Sequence, residues 1–386
     1  MSVYLTDERV RLRDDARRFA MEEVLPLANE LDPRKEDIPR PFLDRIAEMG
    51  YFGITLPTDV GGMGLGVFEY CLITEELARA WMSVASIIAR ANGLGCTTPE
   101  ELRASARGER IAAFALSEPT AGSDVAGICT RAERDGDEWV VNGEKRWCGV
   151  AEMADCIVLF ARTSDPDPDA RWKGIDSFVV EKDRDSFPAG ISGEVIPKIG
   201  YHGMTTWNLR IEDLRLPGDA LMSERMRGMR GRGRGEAFKG AVSGLNVARV
   251  HTAARAVGLA RGALEDSLAY AGRREQFGRS ISEFQAIRFK LADMATQVEA
   301  GRQLWYHAAQ LHDDGVRSEK EASMAKLFAT EMAERVTSEG IQVHGGNGYT
   351  TEHAVERYWR DARLTTIFEG TSEIQRRIIS DRLIDR

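Results

Sequence analysis

The 386-residue sequence has only five cysteines, Cys71, Cys96, Cys129, Cys148 and Cys156. The count is odd and no C-x-x-C pair occurs, which excludes a disulfide framework and a thiolate zinc site and predicts reduced, mostly buried thiols. Its six histidines include no H-E-x-x-H, and His307 and His312, five apart, do not share a helix face, so no metal is expected. No apolar run approaches the ~20 residues that cross a bilayer. The opening stretch MSVYLTDERVRLRDD has neither the apolar segment of a signal peptide nor the acid-poor character of a transit peptide. A cytoplasmic protein with no membrane partner is expected. Positive charge is also in deficit: 52 lysines and arginines against 61 acidic residues leave a net −9, the wrong sign for a nucleic-acid partner.

What is present is a globular composition, 43% hydrophobic and 29% charged, in a chain long enough for two or three domains. The first 112 residues read as helices. Thr6 is a candidate N-cap, and Leu12, Ala16, Phe19 and Ala20 follow the spacing of one buried helical face. A second helical stretch, Val67 to Ala91, sets Val84, Ile87, Ile88 and Ala91 on one side, after the glycine-rich GGMGLG at 61–66. No βαβ pattern surrounds those glycines, which argues against a dinucleotide loop.

The texture then changes. EWVVNG, DCIVLFART and IDSFVVEK, separated by DGD, DPDPD and PAG turns, predict a β domain over 113–220. From 221 onward, helical patterns recur at about 240–273, 281–313, 317–343 and 372–384; Phe284, Ile287, Leu291, Met294 and Val298 keep the 3–4 spacing of a bundle seam. The expected fold is α+β, with an N-terminal helical domain (1–112), a middle β domain (113–220) and a C-terminal helical bundle (221–386). The run Arg225, Arg227, Arg230, Arg232, Arg234, interleaved with glycines, reads as a solvated loop, with contact to phosphates or an acidic partner as the other reading.

One carboxylate stands out for chemistry. In TTIFEGTSEIQ, Glu369 follows the apolar pair Ile367–Phe368 and precedes Gly370, just before a helix start with Ser372 as N-cap and Gln375 completing a capping box. Burial beside such neighbours raises a carboxylate toward the basicity that suits abstraction of a weakly acidic C–H proton.

Taken in order along the chain, AFALSEPTAGSD (113–124), KRW (145–147), REQFG (274–278), FQAIRFKLADMA (284–295), QVHGGNGY (342–349) and RDARLTTIFEGTSEIQ (360–375) strongly resemble the acyl-CoA dehydrogenase family. The resemblance implies FAD, an acyl-CoA substrate, a β-barrel-like middle domain, a four-helix C-terminal domain, a homotetramer, and electrons passed to an electron-transfer flavoprotein. By motif correspondence Leu116, Ser117 and Trp147 touch the flavin in one subunit. Arg274, Phe277, Gln285, Gln342, Gly345 and Gly346 of a neighbouring subunit then meet its pyrophosphate and adenosine, while Thr371 and Glu373 close the site. A guanidinium pairs with phosphate, amides bond ribose or phosphate oxygens, and glycines permit close backbone approach. Glu369 corresponds to the base that takes the α-proton, its backbone N–H polarising the thioester carbonyl. Relatives that carry the base on a bundle helix place it one residue before an arginine, and here that residue is Ala248, before Arg249. Ser123, Arg249, Phe368 and Gly370 fall on the substrate side.

The sequence departs from the family pattern after Trp147, where Cys148 and Gly149 replace an apolar residue and a Thr or Ser whose hydroxyl reaches the flavin. If the stripe Val84, Ile87, Ile88 and Ala91 lines the tail pocket, it favours an uncharged acyl group; Arg90 is the residue that would reverse this by pairing with an acidic tail. The competing functions are an oxidase or a flavin monooxygenase on the same scaffold, or a non-catalytic helical subunit.

Overall fold

The computed structural model describes residues 3–226 and 236–384, with side chains for all of these except 236–243. Helix α1 (Asp7–Phe19) begins as expected, the Thr6 hydroxyl accepting from the Arg9 N–H at 3.2 Å, and Ala16, Phe19 and Ala20 are buried. A π-helical turn leads to α2 (Leu25–Leu31), followed by α3 (Arg40–Glu48). The stretch expected to run from Val67 to Ala91 is broken. Trp81 adopts extended backbone, φ −156° and ψ 118°, between α4 (Val67–Ala80) and α5 (Met82–Ile87). Its indole is wholly buried, so tertiary packing overrides local helix propensity there.

The glycines before α4 serve a helix start. The Gly66 N–H donates to Glu69 at 3.1 Å, and the Val67 and Phe68 N–H groups each donate to the Asp313 carboxylate at 2.8 Å. A carboxylate from far along the chain thus satisfies two of the orphan donors of α4 and complements its dipole. Helix α6 (Pro99–Ala106) carries a capping box between Thr98 and Glu101.

The sheet comprises β1 (Ala112–Ala115), β2 (Arg131–Asp135), β3 (Glu138–Gly149), β4 (Cys156–Arg162), β5 (Ile175–Glu181), β6 (Ile191–Val195) and β7 (Thr206–Pro217). Its order is β1-β4-β2-β3-β7-β6, with β5 also on β4; β1 and β2 run parallel to β4 and the remaining pairs are antiparallel. The twelve-residue strands β3 and β7 slip register between Val141 and Gly143 and again between Lys145 and Cys148. Such bulges bend a strand and curl a sheet.

Helix α7 (Met222–Arg225) follows, and Arg225 is no free charge: it pairs with Glu101 and, at 3.1 Å, with Glu181. Arg227, Arg230, Arg232 and Arg234 lie outside the described residues. The second helical part holds α8 (Glu236–Arg273), a small hairpin of β8 (Glu275–Gln276) and β9 (Arg279–Ser280), α9 (Gln285–Asp313), α10 (Glu319–His344), α11 (Val355–Thr365) and α12 (Ser372–Ile384). Helix α11 is absent from the sequence expectation because its charges mask a buried stripe of Val355, Tyr358, Ala362 and Thr365. The two helical parts share one core, while the sheet buries its own. Buried ion pairs also join them: Arg261 binds Glu75 at 3.2 Å and also Glu76, and Arg302 holds Glu75 at 2.9 Å. Among the described residues no helix is long and apolar enough to cross a membrane.

Candidate active site

The segment between α11 and α12 is held from three sides. Phe368 meets Tyr201 edge-on, with ring centroids 6.0 Å apart, and carries the Arg255 guanidinium 4.7 Å above its ring. The Lys326 ammonium donates to the Gly370 carbonyl at 2.7 Å, and the Gln375 amide donates to the same oxygen at 2.8 Å. Glu369 itself has φ +53°, a left-handed conformation unusual for a side chain with a Cβ. Gly370 follows at φ +93°, and a Cβ there would stand 2.6 Å from the Gln375 amide nitrogen. The helix cap differs from the expected one by a residue. Ser372 is the first residue of α12, and it is Thr371 whose hydroxyl accepts from the Ile374 N–H, at 3.4 Å.

The Glu369 side chain is 28% exposed, and both of its hydrogen bonds fall on one oxygen. Oε2 accepts from the Arg255 guanidinium at 2.7 Å and from the Thr252 hydroxyl; Oε1 has no partner among the described residues. The Glu369 backbone N–H likewise donates to no group there. Arg255, whose side chain is 2% exposed, also donates to Ser86 and Thr252. Burial acts to raise the Glu369 carboxyl, as the sequence implied. The charge of Arg255, the Thr252 hydroxyl and the more distant Arg90 outweigh it and hold the group below the ordinary carboxylate range. The expectation of a raised Glu369 is therefore corrected: the side chain is ionised at neutral pH. Sequence reading missed Arg255 and Thr252. The available signal was a polar face, Arg249, Thr252 and Arg255, recurring every third residue in an otherwise alanine-rich buried helix.

Arg249 is buried on the same helix, donates to Asn246 at 2.5 Å, and is lowered by desolvation. His251, stacked on Tyr70 with centroids 4.6 Å apart, is driven well below its usual range by burial and by Arg255, so it is neutral. The stripe Val84, Ile87, Ile88 and Ala91 is packed into the common core.

On the sheet side, the loop after β1 and the end of β3 are locked together. The Arg146 N–H donates to the Ser117 carbonyl at 2.8 Å, and the buried Lys145 ammonium reaches the Leu116 carbonyl at 3.1 Å and the Glu118 carboxylate at 2.8 Å. Trp147 sits at the second bulge with φ +63°, its indole 54% exposed. Ser123 is exposed further along the loop. Cys148 is buried and its thiol is pushed up to about 12 by desolvation.

The remaining candidate residues lie at the other end of the bundle. Phe277, at the tip of the β8–β9 hairpin, is 95% exposed; Arg274 and Gln285 flank it and are exposed. Gln342, Gly345 and Gly346 are exposed at the end of α10, where Gly345 (φ +60°) ends the helix. Among the described residues, no hydrogen bond or ring contact joins this group to Glu369 or Trp147. Glu373 is exposed at the start of α12, lowered by its own backbone N–H and by Thr371.

These two groups fit FAD in chemistry. An open indole beside a locked polar loop suits a planar ring, and a guanidinium, two amides and two glycines with open space at their Cβ positions suit a diphosphate and ribose. Among the described residues no cluster of His, Cys, Asp or Glu is arranged to hold a metal ion.

A helical layer, a curled sheet and a second helical layer, with an ionised glutamate at their junction and a dinucleotide-sized set of donors, define a flavin-dependent oxidoreductase. The chain belongs to the acyl-CoA dehydrogenase family: its N-terminal, middle and C-terminal domain models match residues 6–102, 113–214 and 235–384. It is 38% identical to (2S)-methylsuccinyl-CoA dehydrogenase of Cereibacter sphaeroides, over 99% of this chain and 70% of that one. It is 35% identical to the caffeyl-CoA reductase-Etf complex subunit CarC of Acetobacterium woodii, over the whole of both chains. Its fold superposes on butyryl-CoA dehydrogenase from Megasphaera elsdenii with a TM-score of 0.89, at 32% identity and full coverage of both chains. FAD is the cofactor of this family.

Proposed function

We propose that Glu369 is the base of an FAD-dependent acyl-CoA dehydrogenation that yields a trans-2-enoyl-CoA, with electrons passed on to an electron-transfer flavoprotein. The observation that carries this reading is the asymmetry of the carboxylate. Arg255 and Thr252 hold Oε2 while Oε1 is left free, which fixes the side chain and presents one unshared oxygen to a C–H bond. Depressing the pKa keeps the base charged but lowers its driving force, so the α-proton must be acidified by donors at the thioester carbonyl. The free Glu369 N–H, turned out by its left-handed backbone, suits that task. FAD, when bound, supplies the hydride acceptor for the β-hydrogen. Leu116, Ser117 and Trp147 would hold its ring system. Arg274, Phe277, Gln285, Gln342, Gly345 and Gly346 of a second subunit would hold the diphosphate and adenosine, with Thr371 and Glu373 closing the rim. Ser123, Arg249, Phe368 and Gly370 would border the thioester.

This assignment needs more than one copy of the chain, and we take the assembly to be a homotetramer. Support comes from the face between α9, α10, α11 and α12, where an open groove of about 950 Å³ carries the exposed side chains of Phe289, Trp359 and Ile367. Large exposed apolar groups of this kind mark interfaces. The reduced thiols and acidic charge accord with a cytoplasmic location.

The test is an anaerobic titration of the purified yellow protein with acyl-CoA thioesters, followed by flavin absorbance, with Glu369→Gln alongside. Removal of a general base lowers the rate by about 10²–10⁴-fold. Bleaching of the native protein with retention of thioester binding but no bleaching in the variant is expected. Equal bleaching in both would remove Glu369 from the role.

A further inference from the structure

Of Arg255, Lys326, Arg249 and Arg90, the cations on the elements around the Glu369 segment, three are occupied. Arg255 is taken by Glu369, Ser86 and Thr252; Lys326 donates to the Gly370 carbonyl; Arg249 donates to Asn246. Arg90, at the end of the turn that follows α5, has no hydrogen-bond or ion-pair partner among the described residues, and it is only half-buried. Its guanidinium approaches the sheet side. A Cβ built on Gly149 would meet a single neighbour, the Arg90 Nη2, at 3.6 Å. The guanidinium therefore reaches from the helical layer to the end of β3, within ordinary contact distance of where a Cβ at 149 would stand. Its charge is felt by Glu369, Cys148, Tyr70 and His251. His251 is neutral and the Cys148 thiol protonated, so neither supplies an anion. Glu369 is the only carboxylate of this group, and both its bonds are to Arg255 and Thr252.

We propose that Arg90 is a specificity residue that receives a carboxylate at the far end of the acyl chain, so that the substrate is a dicarboxylic half-thioester of coenzyme A. This rests on the dehydrogenase reading above. A half-buried planar guanidinium pairs best with a planar two-oxygen anion, and an unpaired one there is unfavourable. The charged tail would reach from the α-carbon beside Glu369 toward Arg90, at the end of β3.

The holoenzyme is compared with Arg90→Gln and Arg90→Lys using glutaryl-CoA and 2-methylsuccinyl-CoA against butyryl-CoA and valeryl-CoA. Flavin bleaching and kcat/KM are read together with the Kd of unreactive thioether analogues with and without the terminal carboxylate. The native enzyme is expected to favour the carboxylate-bearing member of each pair by about tenfold or more in kcat/KM and in analogue binding. Arg90→Gln should erase that preference, read as the ratio within each pair so that any common effect on Glu369 cancels, and Arg90→Lys should retain part of it. A native preference for the neutral thioesters overturns the proposal. So does an equal fall for both classes in Arg90→Gln accompanied by a shifted flavin potential, which would assign the guanidinium to the cofactor. Should Arg90→Gln lose its flavin, Arg90→Lys decides by the same ratio. Failure of every thioester to bleach the flavin would instead remove the dehydrogenase reading itself.

Discussion

Replacing Arg255 with Gln preserves much of the side-chain volume and removes the charge that faces Glu369. Breaking a buried pair from one side costs about 3–5 kcal/mol, because the other charge is left without compensation. Glu369 retains 28% exposure, so water relieves part of this and about 3 kcal/mol is expected near pH 8. At the lower end of the usual ~2–4 °C per kcal/mol, the thermal midpoint should fall by about 6 °C. The pH dependence is the sharper signature. In the native protein Glu369 lies below the ordinary carboxylate range, so its contribution is complete above the unfolded-state value and lost as pH falls through the depressed one. In Arg255→Gln the Thr252 hydroxyl and Arg90 still oppose burial, but the largest counterweight is gone and the carboxyl moves upward, so the variant's deficit is largest at high pH and shrinks as acid protonates Glu369. The acid limb of kcat/KM should move up in the same direction. Midpoints are read by flavin release and by circular dichroism from about pH 5 to pH 8, for Arg255→Gln, Glu369→Gln and the double variant. A deficit independent of pH, or losses that simply add in the double variant, would refute the coupling.

Gly370→Ala would force a Cβ into the Gln375 amide at 2.6 Å from a residue with φ +93°. Strain of about 1–3 kcal/mol is expected, and because it falls beside Glu369 it should lower kcat more than it lowers the thermal midpoint. Lys145→Met would leave Glu118, a buried carboxylate held down by Lys145, Thr130 and the Cys129 N–H, without its cation. A loss of about 3–5 kcal/mol and easier flavin release on dilution are expected, measured by flavin fluorescence; unchanged retention would detach the Leu116–Ser117 loop from the cofactor.

The order of the layers could be read from sequence because period-3.6 and period-2 patterns occupy separate stretches. Glu369 was legible because its neighbours carry specific chemistry in a short run. Its state was not: the sign of its shift is decided by Arg255 and Thr252, more than a hundred positions away, and local sequence shows only burial. The same holds for Trp81, where packing between layers breaks a helix that the Val67–Ala91 pattern writes as continuous. An apolar stripe of Val84, Ile87, Ile88 and Ala91 looks alike whether it faces a ligand or a core, and the informative residue was the polar one within it, Arg90. Helix α11 shows the converse, since five charged residues on eleven positions conceal a buried face.

The cap that Asp313 places on α4 ties the order of synthesis to the order of folding. A nascent chain that has reached the end of the sheet still has Val67 and Phe68 with unpaired N–H groups, and Glu75 and Glu76 await Arg261 and Arg302. Domains usually fold as they emerge from the ribosome. Here the cap of α4 and the pairing of Glu75 are completed only after the ninth helix has left the exit tunnel, with water as their partner until then.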